Sequence, residues 1–329
     1  PDWTVDYEGS TGVRGRGNST WGYPKKPYAL KLDNKAEVLG MPKHKRWVLL
    51  ANWMDRTIMR NCVSFNLAAR TGLAYTPRGQ FVELYLNGEH KGNYFLCEQI
   101  KVDKNRVNID ELDEGELDGG YIMELDSYYD EVNKFKSSRK SLPYMFKDPD
   151  EVNDAQFEFI KNYVSELEYA LYDDQRFAEG EYLNYIDVES FADWWIVMEL
   201  TGIWEPNHPK STYMHKDKGG RWVMGPLWDF DAGFDFDWGY MYDGHNYFAT
   251  HKELVLGTDP IHHTGGYWVP EFFTDIFRSN EFREMYRNRW DEISPLILTT
   301  VWENTQKYID AAEEAMGRNA QRWPIYAPS

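Results

Sequence analysis

Apolar residues in the first hundred positions recur with the spacing of β-strands. The segment YALKL (residues 28–32) places Tyr, Leu and Leu on one face and Ala and Lys on the other, and RWVLLAN (46–52) is a short apolar run. Helical spacing follows at residues 55–70, where Asp55 can cap the first turn and Gly72 stands just past the end. These patterns predict two strands followed by one helix.

A hairpin is predicted directly after this helix. The apolar segments QFVELYL and NYFLCEQI flank Asn87 and Gly88, a pair that favours a tight two-residue turn. Residues 1–100 therefore predict a small antiparallel sheet with one helix.

The pattern changes after Glu98. A strand is predicted at GYIMELD, followed by a polar connection through Lys147, and helical spacing occupies residues 153–172, 187–203, 270–290 and 296–320. A hairpin turning on Gly219 and Gly220 precedes an aspartate-rich run. We expect an α+β fold with two lobes, residues 1–100 and 101–329, and a hinge at residues 98–104.

Composition excludes several classes of function. The chain has 329 residues, 54 acidic and 36 basic, and its net charge of −18 argues against a nucleic-acid partner, which requires a basic face. No apolar run is long enough to span a membrane. Cys62 and Cys97 lie in apolar segments and are expected to be buried free thiols. The sequence begins without Met, which suggests that a signal or anchor segment has been removed.

A glycine-rich segment, GSTGVRGRG (residues 9–17), provides the first candidate chemistry. Its backbone N–H groups can approach a phosphate, and Arg14 and Arg16 can add charge-assisted hydrogen bonds. The segment is not a Walker A motif and does not have the kinase glycine order, so an ordinary turn is the alternative. Lys31 follows at the end of YALK, as the phosphate-binding lysine does in kinases, although a surface lysine fits equally well.

Four aspartates alternate with aromatic residues in LWDFDAGFDFDW. A calcium loop is excluded, because Gly233 and Tyr240 stand where such a loop starting at Asp229 needs an acidic residue and Glu. Two carboxylates two positions apart on a turn can instead share one Mg²⁺. This predicts Asp229 and Asp231 as metal ligands, whereas Asp235 and Asp237 are expected to make turn or cap hydrogen bonds.

Four segments in order resemble the CotH kinase family, the relatives of spore coat protein H. They are RGRGNSTWGYPKKPYALKL, LLANWMDRTIMRN, VELYLNGEHKGNYFLCEQI and GPLWDFDAGF, and they reach from Arg14 to Phe234. The resemblance implies an atypical protein-kinase-like fold, with a small β lobe and a larger, mainly helical lobe. It also implies ATP and Mg²⁺ as cofactors, a protein substrate with Ser or Thr acceptors, and an exported or surface location in a bacterium.

The resemblance also assigns roles to residues. It implies that nucleotide is bound by Arg14, Arg16, Lys31 and Glu98, and metal by Asp229. Asp231 is expected to assist as a metal ligand, and Asn207 could hold a second metal. Family members carry an Asn-x-Asp-type segment at the expected catalytic loop, but this chain has EPNHP there. The catalytic candidates are consequently Glu205, His208 and Asp231.

A second departure concerns the lysine partner. The predicted helix at residues 55–70 contains no Glu to pair with Lys31, which leaves Glu83, Glu98 and Asp55 as alternatives.

Two other functions remain open from the sequence. One is a catalytically degenerate relative that binds nucleotide or a surface partner without transferring phosphate. The other is a carbohydrate-active protein, with Glu205 and Asp229 or Asp231 as its acid pair and some of the 14 tryptophans as a sugar platform.

Overall fold

The structure is a computed structural model that describes residues 4–203, 205–207, 209–234 and 275–324. Two five-stranded antiparallel sheets and several helices occupy this part of the chain, so the fold is α+β as predicted. His208, Asp235 and Asp237 and the predicted helix start at 270–274 lie outside the described residues.

The first sheet carries the glycine-rich segment. Its strands, β1 (Thr11–Gly15), β2 (Tyr28–Val38), β3 (Met41–Leu50), β4 (Gly79–Leu86) and β5 (Glu89–Glu98), lie in the order β1-β2-β3-β5-β4. The hairpin at Asn87 and Gly88 is confirmed, and both residues have positive φ, 53° and 77°. The glycine-rich segment itself forms β1, which the sequence pattern did not predict.

Side chains of a strand alternate between the two faces of a sheet, and each face of this sheet contributes to a hydrophobic cluster. Trp47 and Leu49 pack into a small core, whereas Val48 and Leu50 belong to the main core between the sheets. The predicted helix is shorter than expected: α1 spans Arg60–Ala68. Cys62 and Cys97 are buried free thiols, as predicted.

Asp55 holds the start of α1 from a position before the helix, although it is not the N-cap residue that was predicted, because the N-cap is Met59. Its buried carboxylate accepts the N–H of Arg60 at 2.7 Å and the N–H of Thr57 at 2.9 Å.

The second sheet corrects one prediction. Its strands, β6 (Tyr121–Leu125), β7 (Lys134–Lys136), β8 (Pro143–Asp148), β9 (Thr212–Lys216) and β10 (Val223–Met224), lie in the order β10-β9-β6-β8-β7. The strand β6 and the hairpin β9–β10 were predicted, but the supposed polar connection contains β7 and β8. Lysines flank Phe135 in β7, so that strand looks polar in sequence although Phe135 stacks on Tyr144 at 5.3 Å.

Three helices pack around the second sheet. The helix α2 (Asp154–Tyr172) begins with a capping box formed by Asn153 and Gln156, and the short α3 (Asp174–Ala178) follows it. The helix α4 (Val188–Thr201) is apolar on almost all sides, which suits its place inside the main core. The predictions of helices at 153–172 and 187–203 are confirmed to within two residues.

One long helix replaces the two predicted near the C-terminus. The helix α5 (Asn280–Arg322) has 43 residues and continues through Pro295. The missing N–H of proline favours a helix boundary, which is why the sequence pattern divided it there. None of the helices in the described ranges is long and apolar enough to cross a membrane.

A buried ion pair fixes the first half of α5 to α4. Both oxygens of the Asp193 carboxylate accept from the Arg289 guanidinium, at 2.9 and 2.8 Å, and Asp193 also accepts the N–H of Gly72 at 2.7 Å. The Asp193 side chain is 2% exposed. Removing it would leave the Arg289 guanidinium and the Gly72 N–H without their acceptor in a place with little water, which is costly.

We therefore expect Asp193→Ala to lower the free energy of unfolding by about 3 kcal/mol in urea titrations. Glu158→Ala is the matched control, because its pair with Lys161 is exposed and such pairs contribute less than about 1 kcal/mol. Equal losses in the two variants would contradict the importance of the buried pair.

Candidate active site

A cavity of about 500 Å³ lies between the two sheets. Its upper wall comes from β1, the loop after it and strands β2 and β3, and its floor comes from β6, the segment before β9 and the Asp229 turn. The lining combines cations and carboxylates. The cations are Arg14, Arg16, Lys25, Arg46, Lys101, Lys147 and Lys210, and the carboxylates are Glu124, Asp126, Asp130, Glu131, Asp150, Glu205, Asp229 and Asp231.

The glycine-rich loop brings both predicted arginines to this cavity. Arg14 pairs with Ala29 across β1 and β2, and both residues line the cavity. Gly17 has φ +81°, and a Cβ there would lie 1.9 Å from the Thr20 hydroxyl oxygen, so the turn requires glycine. The Arg16 guanidinium lies 5.3 Å from the ring centroid of Trp228, beside the Asp229 turn. The loop therefore presents positive charge next to the aspartates.

Lys25, which the sequence patterns did not single out, is the buried lysine of this cavity. It is 1% exposed, its ammonium donates to the Asn93 carbonyl, and it lies 4.7 Å from the ring centroid of Tyr94. Burial lowers its pKa to about 7, against the opposing effect of the Glu83 and Asp231 charges. Its only sequence signal was the position of YPKKPY between the glycine-rich loop and β2.

Lys31 does not reach the cavity lining. It lies two residues beyond Ala29 on the same face of β2, but its side chain is exposed. The three suggested partners of Lys31 bind elsewhere: Asp55 at α1, Glu83 to His90 and Arg318, and Glu98 to Arg78. The position of Lys31 thus gives no support for its predicted role with nucleotide.

Glu98 is a structural anchor next to the cavity rather than part of its wall. Its fully buried carboxylate accepts from Arg78 at 2.9 and 2.8 Å and from the Tyr75 hydroxyl at 3.0 Å. This network holds the end of β5, from which the chain enters the predicted hinge, where residues 99–101 line the cavity. The network therefore positions the cavity wall, while the carboxylate itself stays outside it.

The Asp229 turn places two carboxylates side by side. Phe230 is buried in the main core, while its neighbours Asp229 and Asp231 both line the cavity. Asn61 of α1 fixes this arrangement, because its side-chain oxygen accepts the N–H of Phe230 at 2.8 Å and its amide donates to Asp231. Asp229 adopts φ +65° and accepts from the Ser211 hydroxyl at 3.4 Å.

These carboxylates repel one another. Removal from bulk water and then the charge of Asp229 raise the pKa of Asp231 to about 8, and the same two causes raise the pKa of Glu205 to about 8. Removal from water also raises the pKa of Asp229, opposed by Arg16. A bound cation would relieve this repulsion.

The donor set suits Mg²⁺ in particular. Within the described ranges, no group of three or more His, Cys, Asp and Glu side chains is arranged to hold a metal ion without help. Mg²⁺ commonly takes only one or two carboxylates and completes its shell with phosphate oxygens and water. Asp229 and Asp231 fit that requirement.

Glu205 begins a short 3₁₀ turn, Glu205–Asn207, and lines the cavity close enough to Asp229 for their charges to interact. Its carbonyl accepts the N–H of Lys210 at 2.9 Å, and Lys210 lines the same wall. The structure thus brings Glu205, Asp229 and Asp231 together. The side chain of Asn207, like His208, lies outside the described part, and both roles stay predictions.

Glu124 in β6 and Asp126 just after it, which the sequence patterns did not select, support this floor. Asp126 accepts the N–H of Ser211 at 3.2 Å and that of Tyr128 at 2.7 Å, which holds the segment carrying Lys210. Glu124 pairs with Lys147 at 3.1 Å. The alternating strand GYIMELD predicted their placement, but not their function.

A known protein family matches almost all of this chain. The family model described as CotH kinase protein matches residues 13–328, nearly the whole chain. The chain belongs to this family. A search of curated proteins finds no match. The matched range includes Arg14, Arg16 and the Asp229 turn, and membership of the CotH kinase family supports a kinase-type function.

The repulsion between the carboxylates predicts how the thermal stability of the metal-free protein depends on pH. The pKa of Asp231 is raised to about 8, above an unfolded value of about 4. The carboxyl therefore contributes stability in full below about pH 4, and that contribution is lost as the pH rises through about 8. We expect Asp231→Asn to raise the thermal unfolding temperature at about pH 9 more than at about pH 5, by several degrees.

The control is Glu111→Gln, which removes an exposed carboxylate and should leave the pH dependence unchanged. Scanning calorimetry in the presence of a chelator measures both variants. A pH profile for Asp231→Asn identical to that of the parent protein would refute the repulsion.

Proposed function

We propose that the chain is an ATP- and Mg²⁺-dependent protein kinase that transfers phosphate to Ser or Thr of a protein substrate. One observation carries the proposal: the cations of the glycine-rich loop face the carboxylates of the Asp229 turn across a single cavity. A nucleotide polyphosphate needs positive charge on one side and a metal site on the other. In this proposal the first sheet is the small lobe of a kinase-like fold, and the second sheet with its helices is the larger lobe.

The nucleotide would lie along the upper wall. Arg14 and Arg16 supply guanidinium donors for phosphate oxygens, and Lys25 supplies an ammonium at the inner end. Ala29 and Val48 are paired on adjacent strands and form a small apolar surface in the same cavity. That surface suits the flat face of a base, because neither side chain is bulky.

The carboxylates would hold the metal. Asp229 and Asp231 would ligate Mg²⁺, which when bound neutralises charge on the phosphates. Asn61 keeps the turn rigid from α1, so both ligands stay on the cavity side of Phe230. Arg16 balances the charge of Asp229 from the loop above.

Glu205 would act as the general base. Its carboxylate faces the same cavity as Asp229, where the hydroxyl of a bound substrate can be brought within hydrogen-bond reach. It would accept the proton of that hydroxyl as the oxygen attacks the terminal phosphorus. Lys210 opposes the rise in the pKa of Glu205, and a Mg²⁺ ion held by Asp229 would offset the second cause of that rise, the charge of Asp229, and so favour the ionised base.

Two other readings are less well supported. The cations of the glycine-rich loop have no evident use in a site for a neutral sugar, which counts against a carbohydrate-active protein. A degenerate relative would bind nucleotide without transferring phosphate, and the experiments below separate the two cases. An exported or surface location in a bacterium stays a prediction.

The first test compares two lysines. Lys25→Met keeps much of the side-chain bulk but removes the buried ammonium, so we expect the dissociation constant of Mg-ATP to rise at least about tenfold, the size of one charge-assisted hydrogen bond. Lys31→Met is the matched control and should change it by less than about twofold, because Lys31 is exposed outside the lining. Isothermal titration calorimetry measures both. The opposite order of effects would return the role to Lys31.

The second test addresses transfer. In Glu205→Gln we expect phosphate transfer to fall by about 10²-fold or more, while the affinity for Mg-ATP stays within about threefold. Radiolabelled autophosphorylation and calorimetry provide the two readouts. Asp229→Asn serves as the contrast, since it should weaken metal-dependent nucleotide binding itself. Unchanged transfer in Glu205→Gln would move the base to another residue, with His208 next.

A further inference from the structure

We propose that the last turn of α5 is a positioning element for the cavity lysine, with Asn319 acting through Asn93 on Lys25. The consequence for nucleotide affinity rests on the proposed function, whereas the positioning itself does not. Asn319 lies far from the glycine-rich loop in sequence and is not among the residues that line the cavity. It is therefore a positioning residue and not a catalytic one.

A short chain of contacts links the helix to the lysine. The side-chain oxygen of Asn319 accepts the backbone N–H of Asn93 at 3.2 Å. The carbonyl of Asn93 in turn accepts from the ammonium of Lys25. All three residues are buried, at 8%, 2% and 1% exposure. The backbone of one residue of β5 is thus held by α5 at its N–H and holds the lysine at its C=O, through two successive peptide groups joined at Cα.

The close approach of α5 to β5 depends on Gly92. This residue has φ +94°, and a Cβ there would lie 2.6 Å from the Asn319 oxygen and 3.0 Å from Trp323 Nε1. Trp323 Nε1 donates to the Lys91 carbonyl at 2.8 Å, on the other side of Gly92. Two hydrogen bonds from one helix end therefore bracket a glycine next to Asn93. These two directional hydrogen bonds fix the position of the helix end on β5 more precisely than apolar contacts alone would.

The same helix end also supports the cavity wall. The Trp323 ring meets Trp53 edge-on at 5.9 Å between centroids, and Trp53 lines the cavity. Arg318 pairs with Glu83 at 3.2 Å, and the charge of Glu83 acts on Lys25. Both contacts place the last turn of α5 behind the part of the upper wall that carries Lys25.

The direction of an ammonium matters because a hydrogen bond weakens steeply with misalignment. Lys25 has a flexible stem, and its direction is set here by one carbonyl and one aromatic ring. If the N–H of Asn93 loses its partner on α5, the backbone on either side of its Cα can rotate, and the carbonyl that holds Lys25 then loses its fixed direction. The helix end would thereby control how well the lysine meets a phosphate.

The experiment uses the full chain and the variant Asn319→Ala, with Gln321→Ala as the control in the same turn, since Gln321 is exposed. Spectra of protein labelled with ¹³Cε-lysine give a readout without nucleotide, and Lys25→Met identifies the Lys25 signal. We expect Asn319→Ala to shift that signal and Gln321→Ala to leave it in place. An unmoved Lys25 signal in folded Asn319→Ala would overturn the proposal.

Mg-ATP binding gives the second readout. Asn319→Ala should raise the dissociation constant about fivefold in the parent chain, and less than about twofold in a Lys25→Met background. Asn319→Asp keeps the acceptor oxygen and should restore affinity. Equal losses in both backgrounds would show that the helix acts on the whole fold, against the proposal.

Two further outcomes are separable. If Asn319→Ala shifts the Lys25 signal while the parent protein binds no Mg-ATP, the positioning is supported and the proposed function is rejected. If Asn319→Ala does not fold, Trp323→Phe goes through the same two measurements with the same expectations, because it removes the hydrogen bond to the Lys91 carbonyl and reduces the ring contact with Trp53.

Discussion

The site depends above all on the side chain of Asn61. This buried amide belongs to α1, beside the first sheet, yet it accepts the N–H of Phe230 and donates to Asp231 in the segment after the second sheet. It also donates to Asn52 at 3.3 Å, which itself donates to the Ile58 carbonyl. One side chain therefore joins the start of α1 to the turn that carries both aspartates. Without it, the buried Phe230 and the contact of Arg60 with the Asp231 carbonyl would still hold the turn, but the side chain of Asp231 would lose its hydrogen bond to α1.

The charged groups around the cavity lower the stability of the fold, because several of them are costly to ionise where they lie. Asp229, Asp231 and Glu205 approach one another in a place with little water, where each raises the cost of ionising the next. Lys25 bears a similar cost on the other wall. Arg16 lies across the cavity from Asp229 and lowers the cost of ionising it, whereas other lining charges, such as Glu124 and Lys147, pair directly.

Much of the fold could be predicted from local patterns. The Asn-Gly hairpin, α2, α4 and the two free thiols all followed from spacing and turn chemistry. The divided C-terminal helix and the missed strands β7 and β8 show the limits, since proline and flanking lysines imitate a boundary and a loop. Of the site, the arginines and the aspartates were predictable because motif and turn place them directly. Lys25 and Asn61 were not, because their roles come from partners 68 and 169 positions away.

The contact between α5 and β5 has a consequence for biosynthesis. Asn93 and its partner Asn319 are separated by 226 positions, so most of the chain must be translated before this contact can form. The first sheet can leave the ribosome early with its strands paired, but in the proposed arrangement Lys25 is aligned only after the last turn of α5 has been synthesised and has docked. Contacts of such long sequence separation are slow to form. In the proposed arrangement, the alignment of Lys25 would therefore follow the pairing of the strands in the first sheet.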